Sequence, residues 1–324
     1  MLKYVAKRIL LTIVTLWILF TIMFVVCRLF PDKNWFFIYD APLPVQYVER
    51  IKSVLTHFDW GICTTAGPLY MPVTQYCGDR ILFTIYTSGI AFLLSLTLGF
   101  FFGIFCAYFD KTFLGTFTNI CALTFGALPC FITGYALQYC SYRAGGFFPL
   151  IMGRGTAFLS ADMIKSVTLP IIALILGPLA IYIQYIRGAI LEEYNSDFVA
   201  LLRVKGLSKW QIYKKHLISH ALLALLPQIA SNLMVFTINT FIIEKMFAIP
   251  GAGISFIRSF FAIERVPEDV SWLNTLGTPT DYNIFIYYSM FFIAIIIIGG
   301  LLLDIIYGIL DPRIRVGTDK QNQY

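Results

Sequence analysis

Six stretches of this chain, at about 8–29, 81–108, 117–139, 166–186, 222–247 and 284–307, are apolar for the length that a bilayer crossing demands. A hydrocarbon core of about 30 Å takes roughly 20 helical residues, and each run meets that. A transmembrane β-barrel would need segments of about 10 residues alternating in polarity, whereas a run such as IAIIIIGGLLL is apolar on every face. The fold class expected is therefore all-α, a polytopic membrane protein with six transmembrane helices. Composition agrees: 58% of residues are hydrophobic, 13% are charged, and the mean hydropathy of +0.76 is far above that of a soluble domain.

Six crossings put both termini on one side. Lys and Arg are denser in the loops of that side, which makes it cytoplasmic by the positive-inside rule. The first run follows Lys3, Lys7 and Arg8 as a secretory signal would, but it is too long for one and no small-x-small cleavage site follows, so it reads as a retained anchor. The net charge of +6 reports the loop asymmetry, and an anionic leaflet accounts for it without a nucleic-acid partner.

Five of the seven cysteines lie in or beside the apolar runs, where a thiol behaves as a small hydrophobe. Cys63 and Cys77 share the first outer loop and form a candidate disulfide if the exterior is oxidising. No Cys-x-x-Cys pattern occurs and no metal site is expected; His216 and His220, four apart, lack a third ligand.

One membrane domain, 1–324, accounts for the chain, with an outer loop at 30–80, a cytoplasmic loop at 187–220 and an outer segment at 248–283. The outer loop is rich in Pro, Tyr and Trp, as suits either a membrane interface or a landing surface for an external partner. After the fifth run, MFAIPGAGISFIRSFFAI breaks at Pro250 and Gly251 and resumes an apolar pattern too short to cross.

The densest positive charge lies at 187–220, where six Lys or Arg would cost roughly 15 to 20 kcal/mol to bury in hydrocarbon, so this loop stays in water. It is nonetheless built to be helical. Ser196 can cap a helix opening with Asp197, and Lys205 followed by Gly206 supplies a basic last turn and a left-handed stop. Ser208 and Gln211 have capping-box spacing and start a second helix. Phe198, Leu201 and Leu202 share one face of the first helix, and Trp210, Tyr213 and Leu217 one face of the second. Such a hairpin either packs on the inner ends of the spans or is offered to a cytoplasmic partner.

The run DFVALLRVKGLS, with Asp197, Arg203, Lys205, Gly206, Leu207 and Ser208, followed by His216, Ala221 and Leu222, resembles the EAA loop of ABC importer permeases. The likeness is specifically to the B-like subunits of oligopeptide, dipeptide and nickel systems. EKMFAIPGAGISF, with Glu244, Pro250, Gly251 and Gly253, is similar to that family's Glu-x-x-Phe-x-x-Pro-Gly-x-Gly segment, and LLLDIIYGILDPRIR, with Asp304, Asp311, Pro312 and Arg313, to its C-terminal signature. The likeness extends to the N-terminal helix and the start of the second span. It departs at Leu202 and Val204, where small residues are usual, at Ala224 in place of a proline, and in the long stretch around 264–283.

The resemblance implies a type I ABC importer permease fold whose coupling helix docks a separate ATPase, with Asp197, Phe198, Leu201, Arg203, Lys205, Gly206, Leu207 and Ser208 as the coupling residues. The implied partners are a second homologous permease, two cytoplasmic ATPases that bind ATP and Mg, and an extracellular binding protein delivering a peptide. No cofactor is expected in this chain, which carries no Gly-x-x-x-x-Gly-Lys-Ser/Thr loop.

Gln228, Asn232 and Asn239 fall on one side of the fifth span, and Glu244 lies near its outer end. The stripe reads either as hydrogen bonding between spans or as the lining of a pathway, with Glu244 included. The expected function is that of a peptide permease subunit, without bond chemistry of its own, in the cell membrane. The alternatives are an importer of nickel chelates or other small solutes and an ion-coupled carrier, the latter needing mid-span acids or histidines that this chain lacks.

Overall fold

The computed structural model describes residues 2–29, 42–63, 70–153, 155–260 and 281–310, and its regular elements are helical apart from an isolated pairing of Ile62 with Pro72. In chain order the helices are α1 (Leu2–Leu29), α2 (Leu43–His57), α3 (Val73–Tyr108), α4 (Phe113–Ala127), α5 (Cys130–Arg143), α6 (Ala161–Tyr194), α7 (Asp197–Val204), α8 (Lys209–Ile212), α9 (Ile218–Met246), α10 (Ala252–Phe260) and α11 (Tyr282–Leu310). A π-helical turn, Tyr213–Leu217, joins α8 to α9.

Among the described residues five continuous helical stretches are long and apolar enough to cross a membrane: Tyr4–Cys27, Val73–Tyr108, Ala161–Tyr194, Lys209–Met246 and Tyr282–Leu310. The third expected span, 117–139, is not one helix. It is the pair α4 and α5, bent by 104°. Pro129 is the cause: it lacks an N–H and crowds the residue before it, and Leu128 accordingly takes an extended conformation (φ −86°, ψ 126°). The fifth expected span, 222–247, begins earlier than its apolar run suggests, because α8, the π-turn and α9 form one helical rod from Lys209.

Within the one membrane domain the helices pack as two compact units. One holds Met1–Ala6, Tyr86–Ala248 and Ile298–Tyr324; the other holds Lys7–Ile85 and Ile249–Ile297. In the first unit α6 is central, packing against α4, α5 and α9. Small residues let backbones approach it closely: a Cβ on Gly103 of α3 would lie 2.7 Å from the Ile186 side chain, and one on Gly126 of α4 would lie 2.8 Å from Ala180. Pro170 and Pro178 interrupt the hydrogen-bond ladder of α6 and are both buried.

In the second unit, Phe20 and Phe24 of α1 pack with Tyr47 of α2 and with Trp60, which also meets Tyr287 edge-on. The other side of α1 exposes Leu10, Ile13, Trp17 and Ile22, as a lipid-facing helix does. The segment Ile249–Gly253 holds a turn in which the Gly251 amide donates to the Ile249 carbonyl at 2.8 Å and the Ala252 amide donates to Thr84 Oγ1 at 2.7 Å. Asp281 Oδ1 accepts from the Ile284 amide and opens α11. Most of the long stretch at 264–283 and the Asp311, Pro312 and Arg313 signature lie outside the described residues.

Cys63 and Cys77, the candidate disulfide pair, are both buried with free thiols. Burial, with Asp281 adding to it, pushes the Cys63 thiol up to about 11, so it stays protonated at neutral pH and is a poor nucleophile.

Gly115 in α4 sits against the Phe109 carbonyl so closely that any Cβ there would overlap backbone, whereas Gly78 in α3 has nothing within 4 Å of its Cβ position. Gly115→Ala is expected to lower the thermal midpoint of the detergent-solubilised protein by several degrees, as overpacking costs about 1 to 3 kcal/mol. Gly78→Ala, measured in parallel, should leave it unchanged or raise it.

Candidate functional site

Between the end of α6 and the start of α9 the chain makes a helical elbow. Ser196 Oγ accepts from the Val199 amide at 3.4 Å and opens α7. Gly206, at φ +84°, turns the backbone through the left-handed region, where an L side chain is strained, and its amide donates to the Arg203 carbonyl at 2.9 Å. Ser208 and Gln211 form a reciprocal capping box: the Ser208 amide donates to Gln211 Oε1 at 2.8 Å and the Gln211 amide to Ser208 Oγ at 3.4 Å.

The elbow has two faces of different kind. Inward, Val199, Leu202, Ile212, Tyr213 and Leu217 are buried in one cluster with Ala107, Ile186 and Ile190. Removing each such side chain from water stabilises by about 1.5 to 3 kcal/mol, enough to hold the elbow against the helix ends. The grouping differs from the sequence expectation. Leu202 turns inward with Val199, its i−3 neighbour, while Phe198 and Leu201 turn outward. On the second helix the π-turn changes the register, so Tyr213 and Leu217 are buried while Trp210 is 54% exposed.

Polar contacts fix the elbow further to the turn between α3 and α4. The buried Tyr213 hydroxyl donates to the Ala107 carbonyl at 2.9 Å. Lys209 Nζ donates to the Tyr108 carbonyl and lies 4.4 Å from the centre of its ring. Arg187 pairs with Asp110 at 2.8 Å. Arg203, expected as a coupling residue, reaches back to its own chain: its Nη2 donates to the Tyr194 carbonyl at 2.9 Å and its guanidinium stacks 4.2 Å from the Tyr194 ring. His216 meets the Phe198 ring edge-on and His220 lies 3.8 Å from Glu193, so the two histidines have separate neighbours.

Outward, α7 presents Phe198, Leu201 and Val204, exposed by 46%, 63% and 86%, with Asp197 and Lys205 beside them. Water disfavours three large apolar side chains on so short a helix unless something covers them. Leu207 is half-buried against the inner cluster and Ser208 is spent on its cap.

A second feature of the same unit is a cavity of ≈ 330 Å³ beneath the break between α4 and α5, bounded by Pro129 and Cys130, by Pro178 of α6 and by α9. Asn232 and Asn239 both line it, and Cys130 Sγ donates to Asn239 Oδ1 at 3.4 Å. Gln228, on the same stripe, is half-buried and outside the lining. Glu244 is 1% exposed and also outside it. No sequence pattern marks the cavity's other walls, which depend on how α6 passes the bend at Pro129.

Residues 99–316 match the family model described as the inner membrane component of binding-protein-dependent transport systems. The chain belongs to this family. Over 98% of its length it is 25% identical to the dipeptide transport system permease protein DppB of Bacillus subtilis, covering 99% of that protein. It is equally similar to DppB of Lactococcus lactis, and 24% identical to the oligopeptide transport system permease protein OppB of Salmonella typhimurium over 97% of its own length and all of OppB. It is a multi-pass membrane protein and a permease component of such a system.

Tyr213→Phe removes the bond to Ala107 and leaves that carbonyl with the longer bond from the Asp110 amide at 3.3 Å, a loss of about 0.5 to 1.5 kcal/mol. Hydrogen exchange at 195–217 should become several-fold faster, with exchange in the middle of α6 unchanged.

Proposed function

We propose that this chain is one of two homologous permease subunits of an ATP-driven importer of peptides, and that the elbow is where a cytoplasmic ATPase docks. One observation carries the reading: the elbow is tied to its own chain on one face and leaves Phe198, Leu201 and Val204 uncovered on the other. A loop serving only to join two spans would have no use for an exposed apolar face. A part that transmits force needs both a firm attachment and an open contact surface.

In this reading both termini and the elbow are cytoplasmic, two ATPases bind ATP and Mg, and an external binding protein delivers the peptide. The named activities of the similar proteins support the substrate class. Drawing the ATPases together would press on α7. That displacement would pass through Tyr213 and Lys209 to the α3–α4 turn and along the rod from Lys209, shifting the unit between inward-open and outward-open states.

Leu201 and Val204 are the residues on which to test this, since neither supports the fold. Leu201→Glu with Val204→Glu should insert and fold normally, yet lose at least tenfold in co-purification of the ATPases and in substrate-stimulated ATP hydrolysis. Wild-type co-purification and uptake in that variant would remove the docking assignment. Arg203→Glu is a weaker probe, because it also breaks the tie to Tyr194.

A further inference from the structure

Asn232 is 6% exposed, lines the cavity beneath Pro129, and its Nδ2 has no hydrogen-bond partner among the described residues. Across from it on α6, the fully buried Tyr182 hydroxyl also has none. The two groups are near enough to influence each other but do not meet with the geometry of a bond. An amide donor and a hydroxyl left unpaired in an apolar interior each cost about 1 to 3 kcal/mol, a penalty a chain does not carry unless something else satisfies them part of the time.

The space beside Asn232, on whose lining Tyr182 does not lie, is large enough to satisfy the amide. At ≈ 330 Å³ the cavity is at the lower end of sizes that hold small ligands, and far larger than one water needs. Its other walls are mostly apolar, from Ala173, Leu174, Pro178, Val235 and Phe236. The polar groups on it are Asn232 and Asn239, the latter already accepting from Cys130. Among the described residues no charged side chain lines it. The chemistry is therefore that of a site for a neutral group carrying a hydrogen-bond acceptor, flanked by apolar surface. A carboxylate or ammonium would find no counter-charge there.

We infer that this cavity is a transient binding site for one uncharged amide group of the transported solute, with Asn232 donating to its carbonyl. The inference rests on the reading of this chain as a transport pathway and deepens it. Recognition through the backbone group that every peptide shares, in a pocket without charge, would pass solutes of varied side chain while holding none tightly.

Cys130 is a built-in reporter, because its thiol lies on the cavity wall. The test uses the complete importer in membranes and N-methylacetamide, a single peptide group, as probe. The rate of Cys130 alkylation by N-ethylmaleimide is followed by mass spectrometry, with the exposed Cys140 as internal control. Protection of Cys130 but not Cys140 by about twofold or more, lost in Asn232→Leu, is the expected result. Equal alkylation with and without the probe overturns the site.

A transport arm separates this from the wider reading. In proteoliposomes taking up labelled trialanine, Asn232→Leu should raise KM by about fivefold to tenfold, the size of one lost buried hydrogen bond, with co-purification of the ATPases intact. Unchanged KM in Asn232→Leu overturns the site while leaving the permease reading standing. Failure of the wild-type complex to take up any peptide overturns that reading, while Cys130 protection by the amide probe would still uphold the site.

Discussion

A backbone amide in hydrocarbon has no water to bond, so it must be satisfied within its own segment; that constraint shapes this molecule more than any side chain. It makes the spans helical, and it makes any interruption of a span depend on local repair. The bend between α4 and α5 shows such a repair. Pro129 has no N–H to leave unpaired, the Leu128 amide donates to the Phe125 carbonyl, and the Ile132 and Thr133 amides donate back to the Pro129 carbonyl. The bend thereby opens space within the membrane unit while keeping the Leu128, Ile132 and Thr133 amides bonded.

The elbow solves the opposite problem. Its charge calls for water, where no internal bonding is required, yet it is capped, boxed and packed as firmly as a core element. Its inward side chains share a cluster with the ends of α3 and α6, and Tyr213 donates to a buried carbonyl there. The effect is to make three connections, those leaving α3, α6 and the foot of α9, into one body. A load applied to the elbow would therefore be spread over several spans at once.

Much of this was legible in the sequence, for reasons that are local. Runs of apolar residues, the Ser196 and Ser208 caps and the stop at Gly206 act through neighbours a few positions away, and the elbow forms where they placed it. What escaped depends on contacts between distant segments. That Leu202 turns inward and Leu201 outward is decided by the ends of α3 and α6, not by the periodicity of eight residues. The π-turn, an extra residue in a helix of ordinary composition, left no pattern to read. Of the polar stripe on α9, Asn232 and Asn239 meet the cavity and Gln228 does not, a division set by α6 and the bend at Pro129.

The rod from Lys209 to Met246 carries both Trp210, exposed at the elbow, and Asn232, within the cavity, 22 positions apart. At about 1.5 Å per residue they stand roughly 33 Å from each other on a single shaft. Signals between such distant points usually need a relay of neighbouring side chains, each able to slip. Here any movement of one end would reach the other as tilt or twist of the shaft, softened at the π-turn Tyr213–Leu217 and where Pro227 omits a rung of its ladder.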